Sequence, residues 1–136
     1  MKKSFFLKLL VILFGLSACT DENISGNTQL LEAFYKDAKI VNVDKVIIQD
    51  GSTGASKTIT KQADINEFLA LIKEIIFTPQ DNQEERVGWR YSITLLDGKK
   101  EFKFTLHHID NIYYDSKPDI YPIVNNYYKQ LEIVEE

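Results

Sequence analysis

Apolar and polar positions alternate most regularly between Val87 and His108, on either side of Asp97-Gly98. Asp-Gly between two alternating runs is a two-residue type I′ turn signal, so this stretch predicts a hairpin. In that register Trp89 faces Leu106, Tyr91 faces Phe104 and Ile93 faces Phe102, each pair apolar on both sides. The opposite face carries Arg90 with Thr105, Ser92 with Lys103, and Thr94 with Glu101, while His108 pairs with Val87 at the sheet's end. A slip of one residue would mix the two sets, so pattern and turn chemistry agree on one core face and one water face.

The flanking stretches extend the same logic. Leu30, Leu31, Phe34 and Ala38 recur at helical spacing and predict a short helix over 28–38, with Asn27 or Thr28 as cap. Val43–Gln49 is rich in β-branched residues and predicts a strand. The loop Asp50-Gly51-Ser52-Thr53-Gly54 and a second strand, Lys57–Thr60, follow it. Asp64 with Glu67 has the form of a capping box, opening a helix whose stripe is Ile65, Phe68, Leu69, Ile72 and Ile75. Pro79 is expected to end that helix, and 79–86 reads as a polar loop, the longest interruption. After an Asp110-Asn111 turn, Ile112–Tyr114 predicts a short fifth strand. Ile120, Ile123, Val124, Tyr127 and Leu131 then predict a last helix capped by Asp119, with Pro122 in its first turn. Strand–strand–helix thus occurs twice after a short N-terminal helix. The expected class is α+β: an antiparallel sheet of four to five strands with helices packed on one face.

The N-terminal pattern is different in kind. Lys2-Lys3 is followed by an apolar run from Phe5 to Leu16, too short for the roughly 20 apolar residues a membrane span needs. It ends in Leu16-Ser17-Ala18-Cys19, which resembles the lipobox of bacterial lipoproteins. The resemblance implies cleavage between Ala18 and Cys19 and a diacylglyceryl thioether on Cys19, which becomes the first residue of the mature protein. Two acyl chains hold a protein to a bilayer where one is marginal. Residues 1–18 are therefore expected to be a lipoprotein signal peptide, 19–27 a lipidated polar tether, and 28–136 a single domain. The implied location is the cell membrane facing outside. No Asp follows the cysteine, so the resemblance implies the outer membrane if the cell is Gram-negative.

Composition sharpens this picture. Hydrophobic residues make up 44% of the chain, enough for a sizeable core and too many for a disordered tether. The formal charge is −4, and Lys2, Lys3 and Lys8 leave with the signal segment, so the mature surface is more acidic still. That balance argues against nucleic-acid binding. Cys19 is the only cysteine, and once lipidated it leaves no thiol for a disulfide, a zinc ligand or a nucleophile.

Candidate chemistry is sparse. His107-His108 is the only histidine pair, and on a strand neighbouring side chains point to opposite faces, so the two do not converge on one ion. Arg90, Lys103 and His107 form a basic patch on the polar hairpin face. They are the candidate partner surface for a carboxylate or phosphate, weighed against plain cross-strand charge balance. Asp81, Glu84 and Glu85 lack the spacing of a calcium loop, and Asp50-Gly51-Ser52-Thr53-Gly54 lacks the Lys of a phosphate loop. Tyr113-Tyr114, Tyr121 and Tyr127-Tyr128 form the densest aromatic group, part core and part candidate adhesive surface. No serine lies in a nucleophile elbow. No catalytic, cofactor or metal residue is assigned.

Asp50-Gly51-Ser52-Thr53-Gly54, Lys57-Thr58-Ile59-Thr60, Asn82-Gln83-Glu84, Arg86-Val87-Gly88-Trp89 and Pro118-Asp119-Ile120-Tyr121-Pro122-Ile123-Val124 together resemble a group of small uncharacterised lipoproteins of Gram-positive bacteria. The likeness spans about residues 44 to 131 and implies a lipid-anchored single domain, with no chemistry attached. The expected function is a non-catalytic binding or accessory module at the outer cell surface, attached to the membrane through Cys19 and open to an unknown protein partner. The alternatives are an inhibitor or immunity-type protein acting on a secreted enzyme or toxin, and an enzyme or ligand-binding protein whose site forms only in three dimensions. Substituting Cys19→Ala is expected to abolish labelling by radioactive palmitate and to release or misprocess the protein. Label retained in that variant rejects the lipoprotein assignment.

Overall fold

The computed structural model describes residues 28–131, so Ala18, Cys19 and the tether lie outside the described residues. The chain runs β1 (Gln29–Leu30), α1 (Leu31–Asp37), β2 (Lys45–Asp50), β3 (Ser56–Ile59), α2 (Gln62–Ile72), β4 (Ile76–Pro79), β5 (Tyr91–Asp97), β6 (Lys100–Thr105), β7 (His108–Ile109), β8 (Ile112–Lys117) and α3 (Ile120–Gln130). The strands form one sheet in the order β1-β4-β8-β7-β6-β5-β2-β3, each neighbouring pair antiparallel.

This corrects the expected sheet of four to five strands with helices packed on one face. Among the described residues there are eight strands and three helices, strand outweighs helix, and strand–strand–helix does not repeat. The largest miss is β4. Ile75 continues the helical stripe of α2 and Pro79 resembles a helix stop, yet α2 ends at Ile72. Burial then alternates with a period of two, Phe77 inside and Ile76 and Thr78 outside, which is the pattern of a strand. Pro79 is its last residue, at a place where its missing N–H is tolerated. β1 and β7 have two residues each, too short to leave any periodic signal.

Capping also departs from the sequence reading at two helices. Asp64 lies within the first turn of α2, whose N-cap Lys61 makes no side-chain cap bond. Asn27 lies outside the described residues, and Leu30 rather than Thr28 is the N-cap of α1, with no side-chain cap bond; the first N–H groups, those of Leu31 and Glu32, donate to the carbonyls of Ile75 and Lys73 at 2.9 Å. The turn between α2 and β4 thus does the work of a cap. In α3 the expected cap is present, with Asp119 accepting from the Tyr121 N–H.

The β5–β6 hairpin has the expected core face and a different register, while Ser92, expected on the water face, is buried. Ile93 faces Phe104 and Leu95 faces Phe102, two residues displaced from the predicted pairing. Gly98 and Lys99 occupy the turn, and only Gly98 has positive φ, at 62°. This fits a turn needing glycine at its first central position, as in type II′, where the sequence reading put Asp97-Gly98 in the centre. A shift of two preserves the side of every side chain, so Tyr91, Ile93, Leu95, Phe102 and Phe104 are buried as expected.

These side chains share one core with Leu31 and Phe34 of α1, Ile65, Phe68 and Ile72 of α2, and Ile120, Val124 and Tyr128 of α3. Tyr127, expected on the buried stripe of α3, is instead a partly buried neighbour of that core, edge-on to Phe68 at 4.9 Å. Truncating Phe104→Ala leaves a cavity among β5, β6 and the helices and is expected to cost about 3–5 kcal/mol in urea unfolding. Lys103→Ala, one residue away on the exposed side, is expected to change stability by about 0.5 kcal/mol or less. Equal effects at the two positions mean the faces are assigned backwards.

Candidate functional site

Pro79 ends β4 beside β8, and Tyr91 begins β5 on the far side of β8, β7 and β6. The intervening segment, 80–90, must cross the end of the sheet, and hydrogen bonds hold it against β8. The Gln80 N–H donates to the Tyr113 carbonyl at 2.9 Å, continuing the strand pairing by one step. The Gln83 carboxamide then takes the place of a strand: its Oε1 accepts from the Tyr113 N–H at 2.8 Å and its Nε2 donates to the Tyr113 carbonyl at 2.9 Å. Asn82 Oδ1 accepts from the Glu84 N–H, a local turn that suits Asn.

A stack of rings fixes the next part. The Tyr113 ring is covered by the His108 imidazole, centroids 4.1 Å apart and 15° from parallel, and by the Arg86 guanidinium at 4.2 Å. Arg86 also donates through Nη2 to the Asn82 carbonyl at 2.7 Å, and its backbone N–H donates to the Tyr113 hydroxyl at 2.9 Å. Farther along, the Gly51 N–H donates to the Arg90 carbonyl at 2.7 Å. A Cβ on Gly51 would land on the Trp89 carbonyl oxygen and ring, so glycine is required for the two backbones to meet. The Asp50 loop, read from sequence as a bare surface turn, is therefore a support for the 80–90 segment.

These contacts enclose a cleft of about 610 Å³ lined by Arg86, Trp89, Arg90, His107, Tyr113 and Tyr121 among others. Its size lies within the roughly 300–1,000 Å³ typical of small-molecule sites. Trp89 is 42% exposed, so its ring presents surface to the cleft rather than joining the core opposite Leu106 as expected. The Arg90 guanidinium lies 4.9 Å from the Tyr121 ring centroid and 5.9 Å from that of Tyr91. It makes no hydrogen bond or ion pair among the described residues. Glu85 is the one carboxylate on the lining.

Of the candidate partner residues, the structure brings Arg90 and His107 to this cleft and leaves Lys103 apart, opposite Thr94 on β6. His107 Nε2 lies 3.3 Å from the Ser116 hydroxyl and 3.7 Å from Asp119 Oδ1. Ser116 Oγ accepts from the Ile120 N–H at 3.0 Å, so the His107 contacts tie the cleft to the start of α3 and to Tyr121. His108 sits in β7 opposite Tyr113 instead of Val87, and both histidines line the cleft, where the strand pattern had put them on opposite faces. Among the described residues no three His, Cys, Asp or Glu side chains group as metal ligands.

Two ionisable groups, Asp50 and Tyr91, feel the Arg90 charge. Burial pushes the Asp50 carboxyl up, but hydrogen bonds from the Ser52 hydroxyl and N–H, the Arg90 charge and the Thr53 N–H outweigh it. Asp50 is held below the usual carboxylate range and stays ionised, while Arg90 keeps its donors for another group. Beneath them, burial first, then the Asp50 and Tyr121 charges, push the Tyr91 phenol up. It stays a donor and bonds Asn125 Oδ1 of α3 at 2.7 Å.

A larger groove of about 770 Å³ runs between α2 and α3 beside β3, past Asp64, Glu67, Leu71, Ile123 and Tyr127. Lys61, Asn126 and Gln130 also line it, but there the Lys61 ammonium shares the lining with the Asp64 and Glu67 carboxylates. The smaller cleft is the better candidate on chemistry. Sequence reasoning missed Trp89 as a site residue, and put Tyr113 and Tyr121 in a candidate adhesive surface separate from Arg90 and His107. The available signal was the interleaving of arginine with tryptophan in Arg86-Val87-Gly88-Trp89-Arg90, next to the longest loop.

Comparison with described protein families, curated proteins and solved structures finds no match for this chain. The site is therefore read from its own geometry. Gly51→Ala is expected to force the Trp89 backbone away, costing about 1–3 kcal/mol and shifting the emission of Trp89, the chain's single tryptophan. Unchanged emission and a stability within about 0.5 kcal/mol of the parent mean the close approach is not a constraint.

Proposed function

We propose that the chain is a lipid-anchored, non-catalytic binding module at the outer cell surface, and that it holds its ligand in the Trp89–Arg90 cleft. The lipobox at Cys19 and the polar stretch that follows support the location. The observation that carries the binding role is the ordered crossing segment. A connection of eleven residues is longer than the usual ~4–6, and this one is pinned by hydrogen bonds to present a half-exposed indole beside an unspent guanidinium. His107 and His108 are engaged with Ser116, Asp119 and Tyr113, so both imidazoles serve the walls of the cleft. The lining suits holding a group more than transforming it.

A photo-crosslinking side chain placed at Val87, which is 96% exposed on the cleft's rim segment, tests this in intact cells. The full-length protein is expected to give a discrete adduct with an envelope component. That adduct is expected to fall at least tenfold when Trp89→Ala and Arg90→Gln are combined. An adduct that persists undiminished in the double variant rules the cleft out as the binding site.

A further inference from the structure

We infer that the cleft selects a ligand bearing a single carboxylate or phosphate next to an apolar ring, with the anion on Arg90 and the ring against Trp89. This rests on the binding reading above and names the ligand's chemistry.

The two arginines of the cleft are not equivalent. Arg86 uses its guanidinium on the Asn82 carbonyl and the Tyr113 face, and its backbone on the Tyr113 hydroxyl, so it builds the wall. Arg90 is held only by ring faces, those of Tyr121 and Tyr91, which leave its planar fork of donors unengaged. A guanidinium fixed by stacking is oriented before any ligand arrives and matches a carboxylate or phosphate in bidentate geometry. Among the described residues no carboxylate lies within ion-pair distance of it, although the chain as a whole is acidic. An arginine left unpaired on such a chain marks a place where the anion comes from outside.

The ring follows from Trp89. An indole 42% exposed in a concave site, immediately before Arg90 in sequence, offers a flat apolar surface beside the cation. Glu85 on the lining and the net charge of the chain repel negative charge placed away from Arg90, so a ligand with several anionic groups is disfavoured against one with a single anionic group. The same chemistry is carried by a free aryl acid or by the exposed end of a larger envelope component, and the cleft's volume admits either.

Trp89 is the only tryptophan, so its emission reports on this cleft alone. The full-length protein in detergent is titrated with 3-phenylpropionate and phenyl phosphate, and with 3-phenylpropanamide, acetate and inorganic phosphate as partial probes. A saturable change in emission is expected with the two ring-bearing anions, at least tenfold weaker with the neutral amide and with the ringless anions. Arg90→Gln is expected to weaken the ring-bearing anions at least tenfold, Arg90→Lys less, and Glu85→Gln to tighten them. Thermal unfolding of each variant checks that the fold is kept. Amide and acid binding equally well, or Arg90→Gln binding like the parent, overturns the anion assignment while leaving the cleft a binding site. Acetate binding as well as 3-phenylpropionate overturns the ring. No saturable response at millimolar probe, with the Val87 adduct still dependent on Trp89 and Arg90, rejects the ligand class and keeps the proposed function. Loss of that dependence rejects the function itself. Competition of the free aryl acids against the Val87 adduct separates the sources: competition points to the end of a larger component, and saturable binding without any adduct to a free acid.

Discussion

The carboxamide of Gln83 bonds both backbone groups of Tyr113, and the candidate site depends on that exchange. β4 stops at Pro79, where its pairing with β8 ends opposite Tyr114. Without Gln80 and Gln83, the outward N–H and C=O of Tyr113 would end a strand facing water, and nothing would hold the chain to the sheet as it crosses toward β5. Each such bond is worth about 0.5–1.5 kcal/mol net. The two made by Gln83 fix the position of Asn82, Glu84 and Arg86, and through Arg86 the Tyr113–His108 stack. A crossing that long has an entropic cost, and the chain offsets it with hydrogen bonds and stacking spread along the segment rather than with buried apolar area.

The opposite wall is held by equally specific means. α3 is fixed at its start by Asp119 and by the Ser116 hydroxyl, and at its end by Lys57, whose ammonium donates to the Tyr128 carbonyl at 2.8 Å and to that of Leu131 at 3.3 Å. Lys57 is 8% exposed, and a cation at a helix C-terminus meets the negative end of the helix dipole. Its ammonium also lies over the Tyr128 ring at 4.3 Å. With both ends of α3 fixed and Tyr91 bonded to Asn125, the Tyr121 ring has little room to move. The arginine that rests on it is therefore positioned by the fold's own core.

How much of this was legible in the chain depends on the range of the interaction. The core face of the hairpin was legible because a period of two survives any even error in register, and the observed error was two residues. The turn chemistry was read one position off because Asp97-Gly98 and Gly98-Lys99 both satisfy a two-residue turn, and only the backbone distinguishes them. Asp119 was legible as a cap because the cap lies within two residues of its donor. Asp64 was not, because the chain turned into α2 earlier than its capping pattern implied. β4 was hidden by the continuation of the α2 stripe through Ile75. The loop was legible only as far as Arg86, since Val87–Arg90 read as the start of a strand that begins at Tyr91, and its order comes from Gln83, Arg86, His108 and Tyr113. They meet across distances in sequence that no periodicity records.

The same consideration explains why the three basic residues do not stay together. Arg90, Lys103 and His107 were grouped by parity on one strand face, and parity places side chains on a side without saying how far apart they end. β6 ends at Thr105 and His107 lies in the turn before the short β7, so Arg90 of the crossing segment and His107 line one cleft while Lys103 stays on the exposed strand. Charge on an open face is screened within about 10 Å at moderate salt and has small effects on stability. Charge beside aromatic walls is screened less and oriented more. The difference between Lys103 and Arg90 is thus one of surroundings, set by where the chain has to cross its own sheet, and it is this that turns one basic residue of three into a candidate receptor for an anion.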